Sequence, residues 1–412
     1  MKTKPALLFL NRSFYPDVES TGQLLTELCE DLAQDSDVHV VCGNPLYRTV
    51  KTRRMISRSS YKNITIWRVN NFTLSKKHLW SRLINLASYF ALCFFKVMGF
   101  QKVSCVISET DPPLLGLIAL AYSRLRRVPF VYYVQDLWPN VGIVNQKLTN
   151  PLVIKVLKRA NQFLYLRARS IVVPGRDMKI RLSRENQVPL SKIHVVPNWA
   201  DPVQIKPVAM EENPFFKRHF KGKFVVMYSG NIGLSQDMEN ILYAADQLKD
   251  KEEILFVLIG EGASKKRVVD LSCSLGLTNV KFFTYQDKKD LKFTLGAAHI
   301  HLVTMNRGMG GIIVPSKIYG IMAAAKPYIA ALDQQSEVHR LTQEFNCGIS
   351  TEPSDVKGLR ASVMWAYTHQ TEIQEMGKRG RRALEQHYSR DLCTQKFQNV
   401  IHQICMHSHT DL

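Results

Sequence analysis

The fold is decided by residues 224–233, FVVMYSGNIG, where a run of apolar residues ends in a turn that contains two glycines. A helical pattern follows at residues 240–249, and further apolar runs of strand length occur at residues 255–259, 280–283, 299–303 and 328–331. Short apolar runs that alternate with longer helical patterns are typical of a parallel sheet with crossover helices. The second half of the chain is therefore predicted to form a Rossmann-like α/β domain.

The first half of the chain shows the same alternation. Its strand-length apolar runs lie at residues 6–10, 38–42, 64–69, 103–108, 130–134 and 170–173. We predict an α/β protein of two Rossmann-like domains, residues 1–200 and 201–387, which face each other across a cleft. Ligands of open α/β sheets bind beyond the carboxyl ends of the strands, so the cleft is the predicted binding site.

Charge is distributed unevenly along the chain. The formal net charge is +20, and residues 1–200 carry 29 Lys and Arg against 12 Asp and Glu. This excess predicts an anionic partner, and the absence of a recognised nucleic-acid-binding motif favours a membrane surface or lipid phosphate over nucleic acid. The alternative is a basic surface that contacts only solvent. The cations that flank apolar helical stretches are Lys76, Lys77, Arg82, Arg124, Arg126, Arg127, Lys155, Lys158, Arg159, Arg167 and Arg169.

Cysteine usage and hydropathy predict a cytoplasmic protein at the inner face of a membrane. The eight cysteines include no C-x-x-C pair, which favours reduced thiols. Residues 86–100 are the most lipid-like segment, but they are too short to span a bilayer and include Lys96. His299 and His301 could face one side of a strand, yet no third ligand with suitable spacing accompanies them, so no metal site is expected.

Two polar stretches of the first half are candidate site residues. Asp17, Thr21 and Gly22 follow the first predicted strand, where small and hydroxyl residues at a helix start expose N–H groups to an anion. We assign them to acceptor or phosphate binding. Gln135 and Asp136 follow the strand at residues 130–134, and we assign them to the reaction centre because an amide and a carboxylate can bind sugar hydroxyls. The alternatives are an ordinary capped loop and a helix cap.

Two glycine turns of the second half are predicted to bind a diphosphate. Glycine allows the backbone to approach phosphate oxygens, and a following helix favours negative charge. Neither turn has the G-x-G-x-x-G spacing of a dinucleotide site or the Gly-Lys-Ser/Thr of a P-loop, which disfavours NAD and ATP. The predicted residues are Gly230, Asn231 and Gly233 in the first turn and Glu261 and Gly262 in the second.

A third glycine-rich stretch, NRGMGGIIVPSK at residues 306–317, precedes a predicted helix. Its glycines, its serine at the helix start and its two cations can together enclose phosphate oxygens. The alternative is a flexible loop with solvated charges. The donor-binding residues predicted here are Arg307, Gly310, Gly311, Pro315, Ser316 and Lys317.

Five ordered motifs resemble the retaining GT-B glycosyltransferases of family 4, and especially the bacterial branch that builds O-antigen, colanic acid and other exopolysaccharides. The motifs are YPD at 15–17 with LLTEL at 24–28, QDLWP at 135–139, PNWAD at 197–201, YSGNIG at 228–233 and VPSKIYG at 314–320. The resemblance implies transfer of a hexosyl or N-acetylhexosaminyl group from a UDP- or GDP-sugar, held by the second domain, to a lipid-linked glycan held by the first.

The same resemblance implies retention of anomeric configuration without a metal or other cofactor, through front-face attack in which a donor phosphate oxygen deprotonates the acceptor hydroxyl. It also implies that a last helix, residues 388–405, crosses back onto the first domain. Remaining alternatives are a sugar-nucleotide epimerase of the same fold and a catalytically inactive partner subunit.

The chain departs from the family pattern at the donor site. The positions of the usual Glu pair and of the usual diphosphate-binding Arg and Lys are occupied by Ile312, Gly320, Asn231 and Asp237. We therefore predict that Lys317, with Arg307 and the backbone amides of residues 230–233 and 310–311, neutralises the diphosphate.

Overall fold

The computed structural model describes residues 4–17, 19–45, 55–72 and 78–407, with only the backbone at residues 79, 82, 406 and 407. Lys76, Lys77 and the side chain of Arg82, predicted to face a membrane, lie outside this description. Within the described residues the chain forms two β-sheets, each with helices on its faces. This confirms the predicted α/β fold of two Rossmann-like domains.

The first sheet has eight strands: β1 (Ala6–Leu10), β2 (Asp37–Cys42), β3 (Ile56–Tyr61), β4 (Ile64–Val69), β5 (Cys105–Glu109), β6 (Phe130–Tyr133), β7 (Ser170–Val173) and β8 (Ile193–Val195). Their order is β3-β4-β2-β1-β5-β6-β7-β8, and β3 alone is antiparallel to its neighbour. Lys62 and Asn63, both with positive φ, make the tight turn between β3 and β4.

Helices cover both faces of the first sheet: α1 (Ser20–Leu32), α2 (Leu79–Met98), α3 (Gly116–Arg126), α4 (Asn140–Val144), α5 (Pro151–Arg167) and α6 (Arg176–Asn186). Leu25 and Leu28 of α1 are buried against one face. On the opposite face α2, α3 and α5 contribute Cys93, Ala119 and Leu164 to the core. The helices on this second face differ from α1 in that α2 and α5 also carry many apolar residues exposed to solvent.

The second sheet has six parallel strands: β9 (Phe224–Ser229), β10 (Ile254–Ile259), β11 (Val280–Phe283), β12 (Ile300–Thr304), β13 (Tyr328–Ala331) and β14 (Gly348–Thr351). Their order is β11-β10-β9-β12-β13-β14. The helices of this half are α7 (Pro214–His219), α8 (Met238–Asp246), α9 (Lys265–Ser274), α10 (Leu291–Gly296), α11 (Lys317–Ala323), α12 (Glu337–Phe345), α13 (Val356–Thr368) and α14 (Gln370–Ala383).

The chain crosses between the two sheets twice, and the crossings lie side by side. Ala200 and Ser389 form an isolated parallel bridge, and the N–H of Arg390 donates to the carbonyl of Ala200 (3.1 Å). The last helix, α15 (Arg390–His407), then packs on the first sheet. Phe397 of α15 is fully buried, with its ring centroid 5.1 Å from that of Tyr133. The core of the first domain therefore includes the C-terminal helix.

Three strands, β3, β8 and β14, were not predicted from the sequence. All three lie at the edge of a sheet. An edge strand has one hydrogen-bonded neighbour and an exposed side, so it needs no continuous apolar run. The sequence ISRSSY of β3 has the polar composition that this position allows.

Candidate active site

Segments that follow the carboxyl ends of strands in the two sheets contact one another. Asp136, after β6, forms an antiparallel bridge with Ile313, after β12. The N–H of Leu137 donates to the carbonyl of Ile312 (3.0 Å). The two domains therefore meet at the carboxyl ends of their strands, where the binding crevice is predicted.

Lys317, the first residue of α11, is a buried cation beside this crevice. Its Nζ lies 3.5 Å from the ring centroid of Tyr228 and has no hydrogen-bond partner among the described residues. Burial lowers the pKa of Lys317 well below its ordinary value. A Cβ at Gly230 would lie 3.2 Å from the same Nζ, so glycine leaves the ammonium its space. A cation that contacts only a ring face is poorly satisfied, and an anion would stabilise it.

The two glycine turns pack against each other. A Cβ at Gly260 would lie 1.9 Å from the carbonyl oxygen of Gly230, and one at Gly262 would lie 2.4 Å from that of Ile232. Both glycines have positive φ, 149° and 156°. These glycines therefore serve the close contact between the turns. The N–H of Gly230 donates to the carbonyl of Ile259, the last residue of β10, and that of Ile232 donates to the carbonyl of Glu261. The amides of Asn231 and Gly233 are thus left for a ligand.

Glu261 and Asn231 are held locally within these turns. Glu261 accepts from Lys265 Nζ (2.5 Å), and the hydroxyl of Tyr228 donates to the carbonyl of Asn231 (2.6 Å). Gly230, Asn231 and Lys317 thus lie together around Tyr228. Glu261 is neutralised by its ion pair with Lys265.

The predicted roles of Gly310 and Gly311 need correction. The N–H of Gly310 donates to Asp333 Oδ2 (2.8 Å), and that of Gly311 donates to Asp177 Oδ2 (3.0 Å). Because both amides already bind carboxylates, they do not point at a diphosphate. Arg307 is also directed elsewhere, toward Glu352 (3.5 Å).

The segment between these glycines and Lys317 contacts the first domain. Ser316 Oγ lies 2.6 Å from Ser20 Oγ at the start of α1. Val314 lies close to Gly175, the residue before α6. A Cβ added to Gly175 would lie 2.7 Å from Cγ2 of Val314. Pro315 lies between these two contacts, so its position is fixed from both sides.

On the first-domain side, Asp136 is a half-buried acid next to the bridge with Ile313. Burial and the nearby Asp111 raise the pKa of Asp136 to about 7. Asp111 itself is paired with Arg12 (3.0 Å). Gln135 is 8% exposed, and its Nε2 has no partner among the described residues. These two residues therefore offer unpaired polar groups at the crevice.

The loop predicted to bind acceptor or phosphate packs tightly. A Cβ at Gly22 would lie 3.1 Å from that of Ser13, so the glycine is needed for the contact between α1 and the loop after β1. Thr21 is half-buried and Asp17 is 6% exposed. This geometry gives a packing reason for Gly22, and the assignment of the loop to a ligand stays a prediction.

Sequence reasoning missed a carboxylate that joins the domains. Asp177 Oδ2, on α6, accepts from the N–H groups of both Gly311 (3.0 Å) and Glu337 (2.8 Å). Arg176 Nε pairs with Glu337 (2.9 Å), and Arg181 donates to the carbonyl of Gly310 (2.7 Å). Charged residues directly after the strand at residues 170–173 were the available signal.

The positions of the family's Glu pair are apolar in this fold. Ile312 is fully buried and joins the hydrophobic core of the first domain. A Cβ at Gly320 would lie 3.3 Å from Leu295 Cδ1. Neither environment suits a carboxylate. No cluster of three or more His, Cys, Asp or Glu suited to a metal occurs within the described residues.

The arrangement of two Rossmann-like domains around a crevice matches solved structures of one class. Sucrose-phosphate synthase from Thermosynechococcus elongatus superposes with a TM-score of 0.80 at 14% identity, over 97% of this chain and 99% of that one. Anabaena HepE in complex with UDP-glucose gives a TM-score of 0.75 at 14% identity, over 97% and 99%. The fold is therefore that of the GT-B glycosyltransferases.

The sequence comparisons give the family. The profile described as Glycosyltransferase Family 4 matches residues 21–204, and that described as Glycosyl transferases group 1 matches residues 209–383. Probable glycosyltransferase WbjE of Pseudomonas aeruginosa is 30% identical over 335 residues, 78% of this chain and 80% of WbjE. Putative colanic acid biosynthesis glycosyl transferase WcaI of Escherichia coli K12 is 24% identical over 90% of this chain and 95% of WcaI. The chain belongs to glycosyltransferase family 4.

Proposed function

We propose that this glycosyltransferase transfers a sugar from a nucleotide-sugar, bound in the crevice, to a lipid-linked glycan, with retention of anomeric configuration and without a metal ion. The observation that carries the proposal is the buried, unpaired ammonium of Lys317 beside Gly230. A diphosphate next to it would supply the missing counter-charge. HepE, a structure of the same fold, was solved with UDP-glucose, which supports a nucleotide-sugar as ligand.

In the proposed reaction the bond between the sugar C1 and the diphosphate oxygen breaks, and a bond between C1 and the acceptor oxygen forms on the same face. The acceptor proton passes to the leaving phosphate oxygen. Lys317 stabilises the negative charge that develops on the leaving diphosphate, and Asp136 binds a hydroxyl near the reacting carbon. Positioning and charge stabilisation account for the catalysis, so no protein nucleophile is required.

Calorimetric titration with UDP, GDP and dTDP tests the donor site. We expect one of them to bind, and we expect Lys317→Met to weaken it at least tenfold, because a charge-assisted contact contributes roughly 1.5–3 kcal/mol. Lys326→Met is the matched control, since Lys326 is a half-buried lysine whose pKa is also lowered by burial, beyond the far end of α11. Equal affinity of Lys317→Met and wild type would contradict the proposal.

Proton uptake on ligand binding is a second test of the role of Lys317. The pKa of Lys317 is lowered by burial, and a bound diphosphate would raise it again. Binding measured in two buffers of different ionisation enthalpy should therefore show proton uptake that grows with pH in wild type and is absent in Lys317→Met.

A face of the first domain supports the lipid-linked acceptor. Helices α2, α3 and α5 contain no Asp or Glu. They expose large apolar side chains beside cations such as Lys155, Lys158 and Arg159. A face that is both apolar and cationic suits an anionic membrane surface, with about 1 kcal/mol for each well-placed cation. The exposed apolar residues are Trp80, Leu83, Ile84, Leu86, Phe94, Phe95, Leu117, Leu125, Leu152, Val153, Val156, Phe163 and Leu166.

None of the helices in the described part of the chain is long and apolar enough to cross a bilayer. We propose attachment to the cytoplasmic surface of a membrane through the apolar and cationic face of α2, α3 and α5. Flotation with vesicles that contain phosphatidylglycerol should recover the protein at low salt, and Lys155→Glu/Lys158→Glu should reduce recovery several-fold. Lys221→Glu/Lys357→Glu, at exposed positions of the second domain, is the control of equal charge change. Recovery that ignores both anionic lipid and salt would refute membrane attachment.

A further inference from the structure

Four buried polar side chains, Asn11, Glu109, Tyr133 and Gln135, meet at the carboxyl ends of the central strands of the first sheet. Glu109 ends β5, Tyr133 ends β6, and the two are partners in the parallel register. Asn11 follows Leu10, the last residue of β1, and so lies beside Glu109. Paired residues, and residues two apart on one strand, face the same side of a sheet. The four residues therefore lie together on one face of the sheet, and this cluster is called the polar well.

The polar atoms of this well are unsatisfied. Both carboxyl oxygens of Glu109, Oδ1 of Asn11, the hydroxyl of Tyr133 and Nε2 of Gln135 have no hydrogen-bond partner in the described part of the chain. Each residue is at most 8% exposed. A buried polar group without a partner costs about 1–3 kcal/mol, so four together are unfavourable for folding alone. Such a cost is typical of a binding site.

Burial favours the neutral form of the acid in the well. Burial, followed by the neighbouring Asp111 and Asp136, raises the pKa of Glu109 well above its ordinary value, which favours the protonated carboxyl. The well then offers O–H and N–H donors and carbonyl acceptors of neutral groups. An uncharged ligand rich in hydroxyls matches these groups, whereas a carboxylate or a phosphate would be buried without a counter-charge.

The well also adjoins the reaction centre. Gln135 precedes Asp136, which bridges to Ile313 of the second domain. Lys317 is only four residues beyond Ile313. The segment that carries Lys317 therefore contacts the residue next to Gln135 of the well.

We propose that the polar well binds the hydroxyl groups of a neutral sugar ring, with Glu109 as a protonated hydrogen-bond donor and acceptor. The proposal rests on the proposed function and adds a substrate class: neutral hexoses and their N-acetyl derivatives bind, and uronic acids are excluded. The sugar is that of the donor or the one at the acceptor terminus, and the measurements below distinguish the two.

Two adjacent tyrosines give a matched pair of variants. Tyr132 and Tyr133 are both fully buried with unpaired hydroxyls, but they face opposite sides of the sheet. We measure the affinity of the nucleoside diphosphate, the additional affinity of its hexose conjugate, and the KM of the acceptor. Tyr133→Phe should lower either the added affinity of the sugar or the apparent acceptor affinity several-fold, and Tyr132→Phe should change neither.

Glu109 variants separate binding from structural support. Glu109→Gln keeps neutral hydrogen-bonding groups and should retain most sugar affinity, whereas Glu109→Leu should lose about tenfold, the equivalent of one hydrogen bond. Because Glu109→Leu removes an unpaired buried carboxyl, its resistance to urea should equal or exceed that of wild type. A purely structural Glu109 would instead give a less stable Glu109→Leu with normal sugar binding.

Each outcome has one meaning. Loss of the added affinity of the hexose conjugate assigns the well to the donor sugar, and a raised acceptor KM assigns it to the acceptor sugar. Unchanged values of both in Tyr133→Phe and Glu109→Leu, or equal use of a hexose conjugate and its uronic acid, overturn the inference. A wild-type protein that binds no nucleoside diphosphate overturns the proposed function itself.

Discussion

At the scale of single residues, ionisable side chains are partly or fully buried where the ligands are proposed to bind. Lys317 keeps an ammonium against the ring of Tyr228 with no acceptor among the described residues, and Asp136 is an acid in a half-buried position. Burial of either group lowers the stability of the folded protein relative to burial of an apolar side chain. This pattern is common at active sites, where activity and stability compete.

The stability of the protein should depend on pH through Lys317. Its pKa is lowered in the folded state, so between that value and the ordinary value of about 10.4 the unfolded chain binds more protons. The free energy of unfolding contributed by this site therefore rises with pH through that window and is lowest below it. Urea unfolding at several pH values should show Lys317→Met more stable than wild type at neutral pH, with the difference shrinking as pH rises. A constant difference would contradict this.

Activity should depend on pH through Asp136. Its pKa is raised to about 7, so the carboxylate form increases between pH 6 and 8. If the carboxylate binds a hydroxyl near the reacting carbon, kcat/KM should rise over this range. Asp136→Asn should lower kcat/KM at pH 8 by about tenfold to a hundredfold, equivalent to roughly 1.4–2.8 kcal/mol, and should remove the pH dependence. The affinity for the nucleoside diphosphate alone serves as the control and should stay unchanged.

At the scale of elements, α6 holds the glycine-rich segment of the other domain. Asp177 accepts from Gly311 and Glu337, and Arg181 donates to the carbonyl of Gly310. The first domain therefore helps to order the segment at residues 308–314, together with Asp333 of the second domain, and Lys317 follows three residues later. This contact links the geometry of the donor site to the contact between the domains.

Removal of the Asp177 carboxylate should loosen this segment. In Asp177→Ala the N–H groups of Gly311 and Glu337 lose their acceptor, and hydrogen exchange at Gly310–Ile313 should accelerate at least tenfold. Asp177→Asn retains one amide oxygen and should show a smaller effect. Unaltered exchange in Asp177→Ala would show that packing alone orders the segment.

The elements also show how far the sequence could predict this structure. Buried strands such as β9 and β12 were predicted to within one or two residues because their apolar runs are continuous. The position of Lys317 could be predicted from its motif, but its contact with Tyr228 could not, since that contact joins residues from separate elements. The amides of Gly310 and Gly311 were predicted to face a diphosphate because sequence does not show that they already donate to carboxylates, Asp333 of the same domain and Asp177 of the other.

At the scale of the whole molecule, the two crossings near Ala200 and Ser389 make the C-terminal helix part of the first domain. Arg390 secures the second crossing, with contacts to Glu30 (2.9 Å) and Asp31 (2.6 Å) on α1. The Arg390 side chain is 12% exposed, and its partners are also largely buried. Removal of one partner from a buried ion pair is strongly destabilising, because the other charge is left uncompensated.

Arg390→Met should therefore lower the free energy of unfolding by about 3 kcal/mol, since Asp31 loses its partner and Glu30 keeps only the ion pair with Lys62 (3.2 Å). Lys378→Met, which removes an exposed pair with Glu375, should have a much smaller effect, because water and salt screen an exposed pair. Urea unfolding monitored by fluorescence measures both. Equal effects of the two variants would show that Arg390 contributes only a surface contact.

Because α15 packs on the first sheet, the chain cannot be divided between its two domains by a single cut near residue 201 without separating α15 from that sheet. A fragment that ends near residue 201 lacks the helix that carries Phe397, so it would expose an apolar strip beside Phe9 and Tyr133. A fragment from there to the C-terminus would carry that helix as a free arm. Co-expressed, the two pieces should recognise each other through this arm and reconstitute the enzyme, whereas a second piece ending at residue 389 should not.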